Sequence, residues 1–538
     1  MSSSVEPLLV QGVVPIVAGA GAALLPMIIA GVVGFAALLL RPKELFSRCR
    51  QRPGMALGIT FTLAFIGAGI WWLMTPSNAP RQRPVAQTNG SSGSITDWRE
   101  VALAIIAREK QGGAPTTAVI DQQVSAPSTN TTSAVIFRSN NLRTGWDGGP
   151  APRSLINNGS WLDPDQRERG MVLCSPVVTG KRVFFGTCVM EANGSFGVLM
   201  SLDADTLAPV WSVPLITDAD GEHEVKGVYS SPAVSTDGKY VVFGQGLHPD
   251  TNCRLVCLDT QTGAQKWSYL TPLHLESSPT IAGDVVVIGC GAIEGPNHKP
   301  VSEAGYVVGV GLVDGKERWR VDIADPESSP AVVDDIAYIG SGFNGNAVCA
   351  IRIGAQATQR ELWKTKMPYP MLGAVTVAGD LIIIGGGNGD AVYSDPNPAG
   401  LIVALDRATG AIRWQIDTAN TVLGAIAVHE GVGIACVLDG SVIKFEVATG
   451  KKLWQQKTGN VALLAGPAFT GPLAYVVNSV GYLMVMDAKD GSLLEKHYIN
   501  SEQKPGANGL CLSAPTVVGG RIYVGSETGG LRCFSGKP

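Results

Sequence analysis

The sequence has little charge. Asp, Glu, Lys and Arg make up 16% of its 538 residues, and the net charge is −4. No basic footprint for nucleic acid is present, and few exposed helices are expected from so little charge. No Cys-x-x-Cys pair occurs, which removes zinc ribbons and thioredoxin-type sites, and ten cysteines over this length do not make a disulfide-dense scaffold. Cys253 and Cys257 lie four apart on one presumed strand, too far for a mutual bridge. Cys174 and Cys188 flank a predicted hairpin at Gly180-Lys181, where a bridge and two buried thiols are both open. Six scattered histidines assemble no Ser-His-Asp or Cys-His constellation. The glycine run 385–387 follows a strand pattern, but no helix pattern follows it, so it is a blade turn and not a dinucleotide loop.

The first 80 residues are different in kind. Residues 13–40 and 55–74 are free of charged side chains, and about 20 apolar residues of helix cross a hydrocarbon core. Between them stand Arg41, Lys43, Arg48, Arg50 and Arg52 against one acid, Glu44. Such an excess keeps a loop in the cytoplasm, so a two-helix transmembrane hairpin is expected in the inner membrane. Everything after it then lies in the periplasm or its equivalent. A cleaved signal peptide fits poorly, because MSSSVEPLLVQG has no basic opening. Residues 81–133 read as a polar linker holding a short helix near 97–111, capped by Asp97 with Glu100 three residues on.

From 134 to 538 the sequence repeats, and the repeats decide the fold. VCLDTQTGAQKWS (256–268), VALDRATGAIRWQ (403–415) and FEVATGKKLWQ (445–455) are the clearest copies, with SLDADTLAPVWS (201–212) weaker. In each, an acid precedes a tryptophan by eight: Asp203 and Trp211, Asp259 and Trp267, Asp406 and Trp414, Glu446 and Trp454. Trp319 and Trp363 mark degenerate copies, and in VMDAKDGSLLEK Glu495 takes the tryptophan's place. A small-residue strand opening precedes each unit, at Ser175, Ser231, Ser278, Ser329, Gly373, Gly424, Gly466 and Ala514. Eight openings predict an all-β, eight-bladed β-propeller. Small residues suit strands crowded at a central channel. Thr-Gly supplies the positive φ of a tight turn, and the six tryptophans are expected to fill the wedge between blades. The last unit ends without an outer strand, and residues 134–137 are the expected donor.

These motifs resemble the pyrroloquinoline-quinone-repeat (PQQ-like) propeller family, whose mark is an acid-x-x-Thr-Gly turn leading to a tryptophan. The segment FRSNNLRTGW (137–146) also looks like that family's opening. The resemblance covers the chain from Phe137 to its end. It implies one of two functions: a periplasmic scaffold subunit of outer-membrane β-barrel assembly, which carries no cofactor, or a quinoprotein dehydrogenase holding PQQ and calcium. The short blades resemble the scaffold branch more. That branch is usually lipid-anchored, whereas this chain has two spans and no lipobox near its start. The alcohol-dehydrogenase type also has an adjacent cysteine pair, and no two cysteines are adjacent here.

Candidate binding residues fall on the loops entering the blades and on those joining second to third strands. They are His223, Glu224, Lys226, His274, Glu276, Asp325 and Glu327 before strand openings, then Glu294, His298, Asn388, Asp390 and Tyr393 in the longer loops. Glu276 and Glu327 both precede Ser-Ser-Pro in consecutive blades, which predicts that they meet at the channel mouth. Carboxylates converging with histidines could hold a divalent cation, calcium preferring the oxygens, or could simply accept hydrogen bonds from loop amides. No metal ligand set, catalytic residue or cofactor is assigned. The expected function is a membrane-anchored, non-enzymatic protein-interaction scaffold binding other envelope proteins. The alternative is a PQQ-dependent membrane dehydrogenase with calcium.

Overall fold

The computed structural model describes residues 137–162, 170–191, 194–292, 305–391, 395–502 and 508–537. The two predicted spans, the linker with its helix, Glu294, His298 and Tyr393 lie outside the described residues. Among the described residues, no helix is long and apolar enough to cross a membrane.

Eight four-stranded antiparallel sheets form the blades. Blade 2 is typical, with strands Ala233–Val234, Tyr240–Gly244, Cys253–Asp259 and Gln265–Thr271 paired in chain order. Its second and third strands are buried almost throughout, while the outer strand alternates. That pattern is expected where the middle of a blade is covered by both neighbours.

The acid-x-x-Thr turn is built the same way wherever the acid is an aspartate followed by that threonine, while Glu446 accepts the Thr449 hydroxyl. One oxygen of Asp259 accepts the backbone N–H groups of Gln261 and Thr262 and the Thr262 hydroxyl, at 3.0 Å each. Asp406 and Asp203 repeat the arrangement. The glycine follows at φ 72° in Gly263, Gly410 and Gly450. A second constraint fixes it as glycine: a Cβ on Gly263 would lie 2.9 Å from the ring of Trp211, and one on Gly450 2.7 Å from that of Trp414. Five of the six motif tryptophans therefore rest on the turn of the next blade, and Trp319 lies under the Arg360 guanidinium instead. Trp211, Trp267, Trp363, Trp414 and Trp454 also donate their indole N–H to a carbonyl there, at 2.7–3.1 Å.

Ring closure corrects one expectation. The outer strand of the eighth blade is Leu155–Trp161, paired with Leu531–Gly536, and not the segment 134–137. Phe137 sits instead against the channel. The closing strand also explains Glu495. By register Glu495 pairs with Val485 where other blades pair a tryptophan, but the blade beside it has no turn from third to fourth strand to receive a ring, its fourth strand coming from Leu155–Trp161. Its carboxylate instead clasps the start of the closing strand, accepting the Ser154 hydroxyl and the Leu155 N–H, and it binds Lys537. Trp161, from the closing strand, packs edge-on to Phe185 of blade 1.

All nine cysteines of the described residues are buried free thiols. The Cys174–Cys188 alternative resolves accordingly: Cys174 Sγ accepts the Gly186 N–H at 3.3 Å, and burial pushes its thiol up to about 12.

Candidate functional site at the channel mouth

The strand openings line the channel with a layer of small residues: Ser175, Ser231, Ser278, Ser329, Ala374, Ala425, Gly466 and Ala514. The serines are stapled blade to blade. Each hydroxyl of Ser231, Ser278 and Ser329 accepts the N–H of the serine one blade back, at 2.9–3.0 Å, and Ser175 Oγ accepts that of Ala514. On the other side of the ring glycine is required by contact, since a Cβ on Gly424 would lie 2.2 Å from Gly466 N.

Two residues before each member of this layer stands one member of a second ring: Leu173, Tyr229, Glu276, Glu327, Leu372, Leu423, Leu464 and Leu512. Five leucines and a tyrosine face two glutamates from consecutive blades. Above this ring opens a cavity of about 120 Å³, completed by Met190, Leu247, His248, Pro249, Asp390, Ala391 and Leu510. Leu173, Leu247, Leu423, Leu510 and Leu512 join one hydrophobic cluster with Cys188, Leu438 and Ala462.

The polar side of the mouth is compact. His248, on the loop between the second and third strands of blade 2, sets Nε2 3.4 Å from Glu276 Oε2 and 3.1 Å from Glu327 Oε1. Glu276 Oε1 accepts the His248 backbone N–H at 3.0 Å. His274 is fully buried, its Nε2 2.9 Å from the Ala292 carbonyl and 3.4 Å from Glu327 Oε1. Asp325, buried in the blade 4 approach, accepts the Ala292 N–H at 3.4 Å. Burial, and then the neighbouring His248, pull the His274 imidazole below its usual range. Burial pushes the Glu276 carboxyl up, but His248 and His274 outweigh it and hold Glu276 below the usual range.

The sequence-predicted residues separate into three groups. His274, Glu276, Asp325 and Glu327 converge as described, and Asp390 lines the same cavity. His223 and Glu224 lie apart, on the hairpin Leu215–Asp218/Gly221–Glu224, where His223 bonds Asp218 at 2.9 Å. Lys226 donates to the Thr251 carbonyl, and Asn388 braces its own loop through Asn397 and Ala399. Two residues were not singled out from the sequence. His248 sits in the short loop GQGLHPD (244–250), and Tyr229 holds the ring position of the two glutamates. The signal for Tyr229 was its place two residues before Ser231; for His248 it was a histidine four residues after a second strand. Asp250 braces that loop, accepting the Leu247 and Ser195 N–H groups and the Ser195 hydroxyl.

An eight-bladed propeller with acid-Thr-Gly-tryptophan repeats defines the class of PQQ-like-repeat propellers. The family described as outer membrane protein assembly factor BamB matches residues 143–394 and 356–537, and the chain belongs to that family. The assembly factor BamB of Yersinia pestis is 22% identical over 362 residues, covering 65% of this chain and 82% of that protein. Among solved structures, BamB from Moraxella catarrhalis superposes at a TM-score of 0.51 with 16% identity, over 71% of this chain and 98% of its own. Quinohemoprotein alcohol dehydrogenase from Comamonas testosteroni does so at 0.52 with 13% identity, over 76% and 82%. At these identities the structural likeness is one of fold alone.

Proposed function

We propose that the chain is a membrane-anchored, extracytoplasmic scaffold that binds envelope proteins in outer-membrane protein assembly without catalysing a reaction. The observation that carries this reading is the mouth. Its ring is five leucines and a tyrosine, opening to a cavity further lined by Met190, Leu247 and Leu510. Apolar side chains from a segment of an envelope protein suit that concave lining, since desolvated apolar pockets are where binding energy concentrates. Membership of the assembly-factor family supports the same reading. The charge-free stretches 13–40 and 55–74 with the basic loop between them support a two-pass anchor in the inner membrane.

The dehydrogenase alternative meets a chemical obstacle. PQQ is a tricarboxylate, yet among the described residues no Lys or Arg lines the mouth, while Glu276, Glu327 and Asp390 do. Without a calcium ion on those carboxylates, the residues present do not suit that cofactor.

The binding reading is tested with the full chain in detergent. Leu423→Glu, at a half-buried leucine of the ring, is expected to abolish co-purification of an envelope partner while leaving the melting profile intact; a retained partner contradicts it. Saturable binding of PQQ with calcium, accompanied by dye reduction with an alcohol, would overturn the scaffold assignment. The anchor is tested at Cys49, the one cysteine in the basic loop. A membrane-impermeant maleimide is expected to label it only after the cytoplasmic side is opened, and labelling of intact cells contradicts the orientation.

A further inference from the structure

The hydrogen bonds of His274 define its tautomer. Both groups next to Nε2, the Ala292 carbonyl at 2.9 Å and Glu327 Oε1 at 3.4 Å, are acceptors. The proton therefore resides on Nε2, and Nδ1 presents a bare lone pair. That Nδ1 is fully buried, has no hydrogen-bond partner, and faces Glu276 Oε1 at 4.0 Å. Two acceptors thus confront each other across a gap too long for a hydrogen bond. His248 Nε2 points to the same place, 3.4 Å from Glu276 Oε2.

We propose that His248 Nε2, His274 Nδ1 and the Glu276 carboxylate bind one divalent transition-metal ion of the zinc class, with Glu327 beside it and a coordination position open to the cavity. The three ligand groups offer atoms all within 4.8 Å of one another. Zinc bonds of about 2.0–2.2 Å set tetrahedral ligand atoms about 3.4 Å apart; His248 Nε2 stands 3.4 Å from Glu276 Oε2, at that value, and His274 Nδ1 4.0 Å from Glu276 Oε1, somewhat beyond it. Two imidazoles select zinc-class ions over calcium, which takes oxygen. The Nε2–H bond to Ala292 is the outer support that a metal-bound histidine requires. A cation also offsets the carboxylates of Glu276, Glu327 and Asp390 at a mouth that no Lys or Arg lines among the described residues. The site does not depend on the scaffold reading: partner binding is tested at Leu423, metal binding at the histidines.

The full chain is stripped with chelator and titrated with ZnCl2, and separately with CoCl2. One zinc per chain is expected to survive dialysis, and Co²⁺ is expected to give visible bands of tetrahedral nitrogen–oxygen coordination. His248→Gln and Glu276→Gln, each with an unchanged melting profile, are expected to weaken zinc binding by more than the roughly 10–100-fold that a supporting residue costs. His497→Gln, which removes the histidine bonded to Glu495, is expected to leave binding unchanged. The assignment is overturned by wild-type protein that retains no zinc, by calcium binding in preference to zinc, or by either ligand variant binding as tightly as the wild type.

Discussion

The two ends of the channel are made differently. The covered end is crossed by residues 137–147, whose backbone bonds to the first strands of blades 5 to 8 through Val377, Val428, Phe469 and Val517. Arg143 is completely buried there, and its guanidinium donates to the carbonyls of Val375, Phe137 and Pro330 at 2.6–2.9 Å. Arg138 reaches the Pro515 and Arg143 carbonyls. Every one of those partners is backbone. At the mouth, by contrast, leucines face a cavity and carboxylates gather round two histidines. The comparison assigns stability to the covered end, and the binding proposed for this chain falls at the open one.

Substitutions at the two ends should therefore separate folding from binding. The largest effect is expected from Arg143→Met, which leaves three buried carbonyls without their donor and should cost roughly 3 kcal/mol or more, read from chemical denaturation. Glu495→Ala, which releases the closing strand, should cost about 1–3 kcal/mol by the same measurement. Lys537 and Ser154 hold the Glu495 carboxyl far below its usual range. A lowered carboxylate stabilises the fold above the unfolded value near pH 4, and that stabilisation is lost as pH falls. Glu495→Ala should thus narrow the stability gap between pH 6 and pH 3.

A smaller loss, about 1 kcal/mol, is expected for Asp259→Ala, which uncaps one blade turn. Lys266, then Thr262, hold this carboxyl down at about 2, so its contribution should disappear as pH falls from about 4 toward 2. Least of all, His248→Gln and Leu423→Glu at the mouth should change stability by under about 1 kcal/mol. A large loss of stability from either mouth variant, or an Arg143→Met protein as stable as the wild type, breaks the division of labour between the ends.

The repeat framework was legible because it is local. An acid, a Thr-Gly turn and a tryptophan eight residues on are held by bonds spanning a few residues, and blade follows blade in chain order. The convergence of Glu276 and Glu327 was legible for the same reason, both standing at one register before Ser-Ser-Pro. The closing strand was not. Leu155–Trp161 pairs with Leu531–Gly536 across most of the chain, and its sequence, LINNGSW, carries a mid-strand glycine at φ 126° and little apolar alternation. His248 escaped because a single histidine in a short loop has no periodicity; only the pairing of second and third strands carries it over the channel. Why Glu495 replaces a tryptophan became clear only once the closing strand had been placed beside it.

The most direct test of the account is site-specific photo-crosslinking in native membranes, with the reactive group placed at Leu423 of the mouth or at Asn140 of the covered end. The account predicts a discrete adduct with an envelope protein from position 423 and none from position 140. Adducts from position 140 alone, or none from either position, would contradict it.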